Sequence, residues 1–251
     1  MSILQKTLLD IVQKNYRNAQ VLDSYGIEFY KYPFYNLQEV CELFRLDARR
    51  IAHYLQMVPD KSARLEEIGN LYHKSVAELV EYLKSTHRVF MRVRLPFLQK
   101  IITQIPTHYF DTPAVIEDLK FIFPIFAEDF VAHILEEEEN TFGYILNLEN
   151  ALSRRFNALK IFEELSKHSI AETAHEHFHD IDDMAGIREL TNHYQTSPQS
   201  SLYTQLLYEE LKSFETEIKI HSQIENCILF PKALALERKV KEWLQKFAEL
   251  N

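Results

Sequence analysis

The chain has 251 residues, only four glycines and eight prolines, and a formal net charge of −9. Abundant Leu, Glu, Lys, Ala and Ile with so few glycines and prolines favour an all-α protein. The negative charge argues against a nucleic acid or an anionic membrane as a partner, because a phosphate surface would repel the chain.

The cysteine content and the apolar runs indicate the cellular compartment in which the protein is expected. Cys41 and Cys227 are far apart and too few for a disulfide framework. We interpret both as small core residues. No apolar run reaches the length of a membrane span, and the first residues do not form a basic and apolar signal segment. We therefore expect a cytoplasmic protein.

The first 60 residues predict a small helical domain. An amphipathic helix is expected over residues 2–17, because apolar residues recur there every three or four positions. Asn36 and Glu39 form a capping-box pattern that opens a short helix, and Asp47 is placed to cap the next one. The stretch 58–61, with its proline, is the expected linker. We assign residues 1–60 to this domain and residues 61–251 to a second one.

The second domain predicts four long helices with short to medium connections, which is typical of an antiparallel bundle. Thr112-Pro113 and Ser197-Pro198 are helix-start signals, Ser169 with Glu172 is a capping box, and Gly143 is a candidate break. We expect these helices at about 62–105, from 113 past 149, at 169–190 and at 197–231, with a tail helix at 233–248.

Two of these helices carry the same pair of polar residues on an apolar face. His221 and Glu225 are four residues apart, so they lie one above the other. His133 and Glu137 repeat that spacing. Burying an imidazole and a carboxylate costs several kcal/mol unless each finds a partner (roughly 2–7 kcal/mol for a polar group). A metal ion is one such partner.

The other two helices each offer one histidine in line with their apolar stripe. On the third helix His177 follows the stripe, whereas His175 and His179 share the opposite side. On the first helix His87 follows the stripe, and its neighbour Arg88 aligns with a solvated face.

Four histidines and two glutamates are therefore expected to converge in the bundle. Imidazole and carboxylate suit iron, zinc or manganese, and two carboxylates can bridge two metals about 3.5–4 Å apart. The competing interpretation is that these are hydrogen-bonded core residues. The occurrence of the His-x-x-x-Glu pair on two helices argues against it. Glu136, Glu138 and Glu139 are interpreted as a solvated face.

The segment from Glu225 to Leu234, ENCILFPKAL, resembles the last helix of the repair-of-iron-centres proteins, di-iron members of the hemerythrin-like superfamily. Further similarities support it across nearly the whole chain. They are the His133/Glu137 pair, Glu176-His177, Ile187 to Asn192, His87 with Leu95-Pro96, Tyr25 to Phe29, and Leu37 to Cys41.

The resemblance implies a hemerythrin-like, left-handed four-helix bundle that holds two non-haem irons. It implies four terminal ligands and two bridging carboxylates. The terminal ligands are His87, His133, His177 and His221, and the bridging carboxylates are Glu137 and Glu225. It further implies repair of iron–sulfur clusters damaged by nitric oxide or oxidants, with damaged iron–sulfur proteins as partners and a homodimer as the assembly.

One departure from the family concerns the N-terminal domain. Tyr30-Lys31-Tyr32-Pro33 stands where the family has a Cys-Cys-Gly-Gly turn, so no thiol chemistry can operate there. Three functions stay open at this point, and whether the chain is an enzyme stays open with them. The first is a di-iron stress-response protein that reacts with nitric oxide, dioxygen or peroxide. The others are a module that binds or senses dioxygen or nitric oxide, and an interaction protein whose metal site has decayed.

Overall fold

The computed structural model describes residues 2–57, 69–152, 158–179 and 182–249, and every regular element in those ranges is helical. The all-α prediction is confirmed. The α-helices are α1 (Leu8–Lys14), α2 (Arg17–Ser24), α3 (Leu37–Phe44), α4 (Ala48–Met57), α5 (Val76–Val89), α6 (Leu95–Gln104), α7 (Pro113–Glu136), α8 (Phe142–Leu152), α9 (Ala158–Lys167), α10 (Ile170–His179), α11 (Ala185–Leu190), α12 (Leu202–Ile224) and α13 (Phe230–Glu249).

Three π-helical segments interrupt the α-helices: π1 (Phe90–Arg94), π2 (Glu137–Thr141) and π3 (Glu225–Leu229). The α-helix that follows each one has proline or glycine as its second residue, namely Pro96, Gly143 and Pro231. A π segment changes the hydrogen-bond register from i→i+4 to i→i+5. A proline just after a π segment therefore disrupts fewer backbone hydrogen bonds of the helix, because proline has no N–H to donate.

The chain divides into two compact units. The first comprises Met1–Ala63, Arg94–Phe123 and Ile187–Phe214, and the second comprises Arg64–Val93, Pro124–Gly186 and Glu215–Asn251. The expected linker at 58–61 lies outside the described residues, so a domain boundary at residue 60 stays a prediction.

In the first unit, local signals set the N-terminal helices. The Asn36–Glu39 capping box is present in both directions, and the Asp47 carboxylate accepts hydrogen bonds from two backbone N–H groups of α4. The single helix expected over 2–17 is wrong. Thr7 caps α1 by accepting from the Asp10 N–H at 3.1 Å, so a short 3₁₀ turn precedes it and α2 follows it as a separate helix.

Polar contacts within the first unit join α2 and the turn after it to α6. The Lys100 ammonium pairs with the carboxylates of Asp23 and Glu28. The Tyr30 hydroxyl donates to the side-chain oxygen of Gln104 at 3.1 Å. The turn after α2 is thus held against α6 within one compact unit, through a contact between residues 74 positions apart.

In the second unit, α5, α8, α10 and α13 pack around one apolar core. Fully buried side chains come from each of these helices, including Leu83, Ile145, Ile170 and Ala233. Burying each larger aliphatic side chain contributes about 1.5–3 kcal/mol. Four helices sharing one core form the expected bundle.

Four expected helix boundaries are wrong. The third helix does not run unbroken to 190, because residues 182–184 are not helical. The first bundle helix does not run unbroken from 62, because residues 72–75 are not helical and Ser75 with Glu78 caps α5. The fourth begins at Leu202, since Ser197 to Ser201 forms a hydrogen-bonded turn. It also passes Pro231 without ending, because π3 precedes that proline. Within the described residues, no helix has both the length and the apolarity needed to cross a membrane.

Candidate metal centre

The π segments lie at the polar residues of the bundle. π2 begins at Glu137, π3 begins at Glu225, and π1 begins three residues after His87. Such segments occur frequently at functional sites, because the extra residue in the turn re-aims the side chains that follow it.

Four buried side chains meet in the second unit: His87 of α5, Glu137 of π2, His221 of α12 and Glu225 of π3. Each offers one nitrogen or oxygen atom, and these four atoms lie within 4.8 Å of one another. The Nε2 atoms of His87 and His221 are 2.9 Å apart. His87 Nε2 lies 3.5 Å from Glu137 Oε2, and His221 Nε2 lies 2.8 Å from Glu225 Oε1.

The charges of this cluster fit a cation. Burial, and next the neighbouring His221, lowers the pKa of His87 to about 4, so its ring is neutral at pH 7. Two imidazole rings that face each other through Nε2 need a proton or a metal ion between those nitrogens. Within the described part of the chain, His221 Nδ1 is buried without a hydrogen-bond partner. Two imidazoles and two carboxylates are a donor set for iron, zinc or manganese.

Sequence reasoning missed Glu138. Its carboxylate oxygen Oε1 lies 2.9 Å from His87 Nδ1, and its side chain is only 26% exposed. A carboxylate in this position holds the proton on Nδ1 and leaves the Nε2 lone pair free for a metal. The prediction of a solvated face is confirmed for Glu136 and Glu139, which are exposed, and is wrong for Glu138. Glu137 and Glu138 follow the buried Ile134 by three and four residues, so helical spacing places both on its face.

Aromatic rings form the apolar surroundings of the two histidines. The Phe142 ring stacks on His87 with a centroid distance of 5.6 Å and an interplanar angle of 6°. The Phe90 ring meets His221 edge-on at 5.7 Å. These rings lower the local dielectric, which strengthens the interaction of the polar atoms with a cation.

A cavity of about 380 Å³ adjoins the cluster. The residues that line it come from the second unit and include polar groups that sequence reasoning did not single out. Those are Asp182, Asp183, Glu215, Lys219, Ser222, Gln223 and Asn226. The cavity therefore adds carboxylates and one ammonium to the four clustered donors.

Cys227 and Cys41 have different environments. The Cys41 thiol is buried, as predicted, and burial raises its pKa. Cys227 is exposed, so its interpretation as a core residue is wrong. It lies inside π3, on the side of the helix opposite the buried Ile228 and Leu229.

The chain is similar in sequence to known iron-sulfur cluster repair proteins. The iron-sulfur cluster repair protein ScdA of Staphylococcus haemolyticus is 21% identical over 219 residues, which cover 86% of this chain and 91% of ScdA. The repair-of-iron-centres resemblance is confirmed. The iron-sulfur cluster repair protein YtfE of Escherichia coli O157:H7 is 22% identical over 162 residues, 64% of this chain and 68% of YtfE. The YtfE of Cronobacter sakazakii is 23% identical over 163 residues, or 65% and 68%. No protein-family model matches the chain.

Of the six ligands that the repair-of-iron-centres resemblance implies, the structure brings four together. His87 is only 1% exposed, whereas its neighbour Arg88 is exposed, so the first helix presents the histidine. His133 is exposed and lines the cavity without joining the four clustered donors. His177 belongs to α10, and its side chain lies outside the described residues.

Proposed function

We propose that this chain is a di-iron stress-response protein that takes part in repairing iron–sulfur clusters damaged by nitric oxide or oxidants. The observation that carries the proposal is the buried cluster of His87, Glu137, His221 and Glu225. It occurs in a chain that is similar to ScdA, an iron-sulfur cluster repair protein, over most of both lengths. The likeness supports the repair function, and the cluster supports a metal site in this chain.

The buried side chains offer two kinds of iron ligand. His87 and His221 offer imidazole nitrogens, and the carboxylates of Glu137 and Glu225 offer oxygens that can bridge two cations. His133 and His177 complete the proposed set. Iron bound there would supply redox chemistry and a binding position for nitric oxide, dioxygen or peroxide.

The chain's own residues set the conditions for that chemistry. Glu138 keeps the proton on His87 Nδ1 and so keeps Nε2 available. Phe90 and Phe142 exclude water from the two imidazoles. The adjoining cavity of about 380 Å³ exceeds the space that a diatomic ligand needs.

The N-terminal residues 1–60 act without thiol chemistry in this proposal. Tyr30 and Tyr32 stand in the turn where the family carries its cysteine pair, and Cys41 is buried. Recognition of a damaged iron–sulfur protein, in the cytoplasm, would then depend on packing and charge. The missing pair also favours the second candidate function, a module that binds or senses dioxygen or nitric oxide without repair.

The first experiment measures iron in protein purified without oxygen. We expect two irons per chain and a ferric carboxylate absorption band after oxidation, and we expect Glu225→Gln and Glu137→Gln to lose iron. Glu136→Gln and Glu139→Gln are matched controls, because both side chains are exposed. A chain that takes up no ferrous iron overturns the proposal.

The second experiment separates repair from binding. A nitric-oxide-damaged [4Fe–4S] dehydratase is incubated with the iron-loaded protein, and recovered dehydratase activity is measured. Recovery with wild-type protein and none with Glu225→Gln supports repair. A reversible optical change with dioxygen or nitric oxide and no recovery assigns the chain to the binding module.

A further inference from the structure

Two polar side chains of the cavity wall directly follow two of the clustered donors. Ser222 comes after His221 in α12, and it lines the cavity of about 380 Å³. Asn226 comes after Glu225 in π3, and it lines the same cavity. Because Ser222 and Asn226 are four residues apart, they are neighbours on the helix surface. The proposed iron ligands and this second pair therefore border one space.

The Ser222 hydroxyl does not make the hydrogen bond that a helix commonly offers to serine or threonine. Such a side chain can donate to the backbone carbonyl four residues earlier. Thr86 does so with the Tyr82 carbonyl at 3.2 Å, and Thr103 with the Gln99 carbonyl at 2.7 Å. Ser222 is half-buried, and its hydroxyl has no hydrogen bond to any residue that the structure describes. Its donor is therefore available to a molecule in the cavity.

The Asn226 amide has a similar environment. It is half-buried, and it likewise makes no side-chain hydrogen bond within the described part of the chain. Its nitrogen carries two N–H donors. A polar group that is partly removed from water and left unbonded costs free energy. Two such groups side by side therefore indicate a partner in the cavity, either a ligand or ordered water.

The charges of the cavity restrict the ligand that these donors can meet. Among the described residues that line it, five have carboxylates and one, Lys219, has an ammonium, which pairs with Glu215. This excess of negative charge repels a free anion. A bound cation reverses the sign of the local charge. We therefore expect an anionic ligand to enter only the iron-loaded cavity.

We propose that Ser222 and Asn226 bind the outer atom of a small ligand in the iron-loaded cavity. The Ser222 hydroxyl and the Asn226 amide donate hydrogen bonds to that atom. They thereby favour diatomic or triatomic ligands whose outer atom is an acceptor and carries negative charge. This inference rests on the proposed function and leaves its iron ligands unchanged. It assigns the selection of the ligand to two residues that do not bind iron themselves.

The test measures azide binding to the oxidised, iron-loaded protein. Azide is a triatomic anion with an acceptor nitrogen at its outer end, and its absorption band with ferric iron reports how much is bound. We expect Ser222→Ala and Asn226→Leu each to raise the azide dissociation constant about tenfold, the effect of one hydrogen bond to a charged acceptor. Iron content should be unchanged. Ser222→Thr retains a hydroxyl and should retain the affinity.

Two matched controls lie outside the cavity wall. Thr216→Ala removes a hydroxyl from an exposed position of α12, and Asn150→Leu removes an amide from an exposed position of α8. Both should bind azide as wild-type protein does. The infrared stretching band of bound azide gives a second measurement. It should shift in Ser222→Ala and in neither control, because only that variant loses a hydrogen bond to the ligand.

Unchanged azide affinity in both Ser222→Ala and Asn226→Leu overturns the inference, because the two side chains then bind only water. Loss of iron from either variant also overturns it, since the residue would then support the metal. So does iron-loaded wild-type protein that binds no azide. If Asn226→Leu loses its helical circular dichroism, the comparison of Ser222→Ala with Ser222→Thr decides. Wild-type protein that takes up no iron overturns the proposed function, and this inference with it.

Discussion

The Nδ1 atom of His87 lies 2.9 Å from the Oε1 atom of Glu138, whose neighbour Glu137 is one of the four clustered donors. Both glutamates lie on the helix face of the buried Ile134, three and four residues after it. One carboxylate thereby contributes a donor atom to the cluster, and its neighbour orients the imidazole beside it. The relationship leads to the first prediction.

Replacing Glu138 with glutamine removes the negative acceptor from His87 Nδ1. We expect iron affinity to fall by about 10- to 100-fold, the usual cost of losing such a partner, with the fold unchanged. Chelator competition measures the affinity. Glu139→Gln, at an exposed neighbouring position, should leave affinity within twofold of wild type, and an equal loss in both variants would refute an orienting role.

Metal binding should stabilise the bundle. An ion that binds only the folded chain adds about 2.7 kcal/mol when its concentration is 100 times the dissociation constant. Melting of the iron-loaded protein should therefore occur several degrees above that of the metal-free protein. Glu225→Ala should abolish the increment, since it removes a fully buried carboxylate of the cluster. Identical melting with and without iron would contradict the site.

The metal-free protein should lose stability in mild acid because of His87. Burial, and then His221, lowers its folded-state pKa to about 4, below the usual value of 6.5. The unfolded chain therefore binds the proton more tightly, so this contribution is complete above pH 6.5 and is lost as the pH falls toward 4. The loss is at most about 3 kcal/mol. Urea unfolding at a series of pH values measures it.

The control for this experiment is His87→Asn, which cannot titrate in that range. Its free energy of unfolding should fall less between pH 6.5 and pH 4 than that of wild-type protein, and the difference isolates the imidazole from the many carboxylates that also titrate. Parallel pH profiles for the two proteins would show that His87 does not contribute.

Phe142 should contribute both to the stability of the fold and to the binding of a metal ion by His87. Its ring is fully buried and stacks on His87, so Phe142→Ala should cost about 3–5 kcal/mol of unfolding free energy. Phe162 is 64% exposed, and Phe162→Ala should change stability by less than about 0.5 kcal/mol. Denaturant unfolding compares them. Equal effects would show that the stacking contact is not formed.

The first unit contains a buried ion pair. Arg94 Nη1 donates to Glu210 Oε2 at 2.6 Å, and both side chains are at most 5% exposed. Glu210→Ala leaves the guanidinium without its buried partner and should cost about 3–5 kcal/mol. Glu117→Ala, which breaks a more exposed pair with Lys120, should cost no more than about 1 kcal/mol. Thermal unfolding distinguishes the two.

Much of the fold could be predicted because its signals are local. The Asn36–Glu39 capping box and the Thr112-Pro113 start each involve residues within one turn, and each is present where the spacing predicts. The pairing of His221 with Glu225 needs only helical geometry. The absence of a cysteine pair at Tyr30 to Pro33 is likewise visible without coordinates.

The sequence by itself determined the all-helical class, the family likeness and the two His-x-x-x-Glu pairs, because all three depend on neighbours in the chain. Only the tertiary structure decided that Glu138 supports His87, that Cys227 faces outward and that the helix passes Pro231. The contact between Glu138 and His87 joins residues 51 positions apart in the chain, and the helix passes Pro231 because π3 precedes that proline. The placement of Asp182 and Asp183 at the cavity was also beyond the sequence, since it joins residues more than 40 positions from Glu137 through the shared core of the bundle.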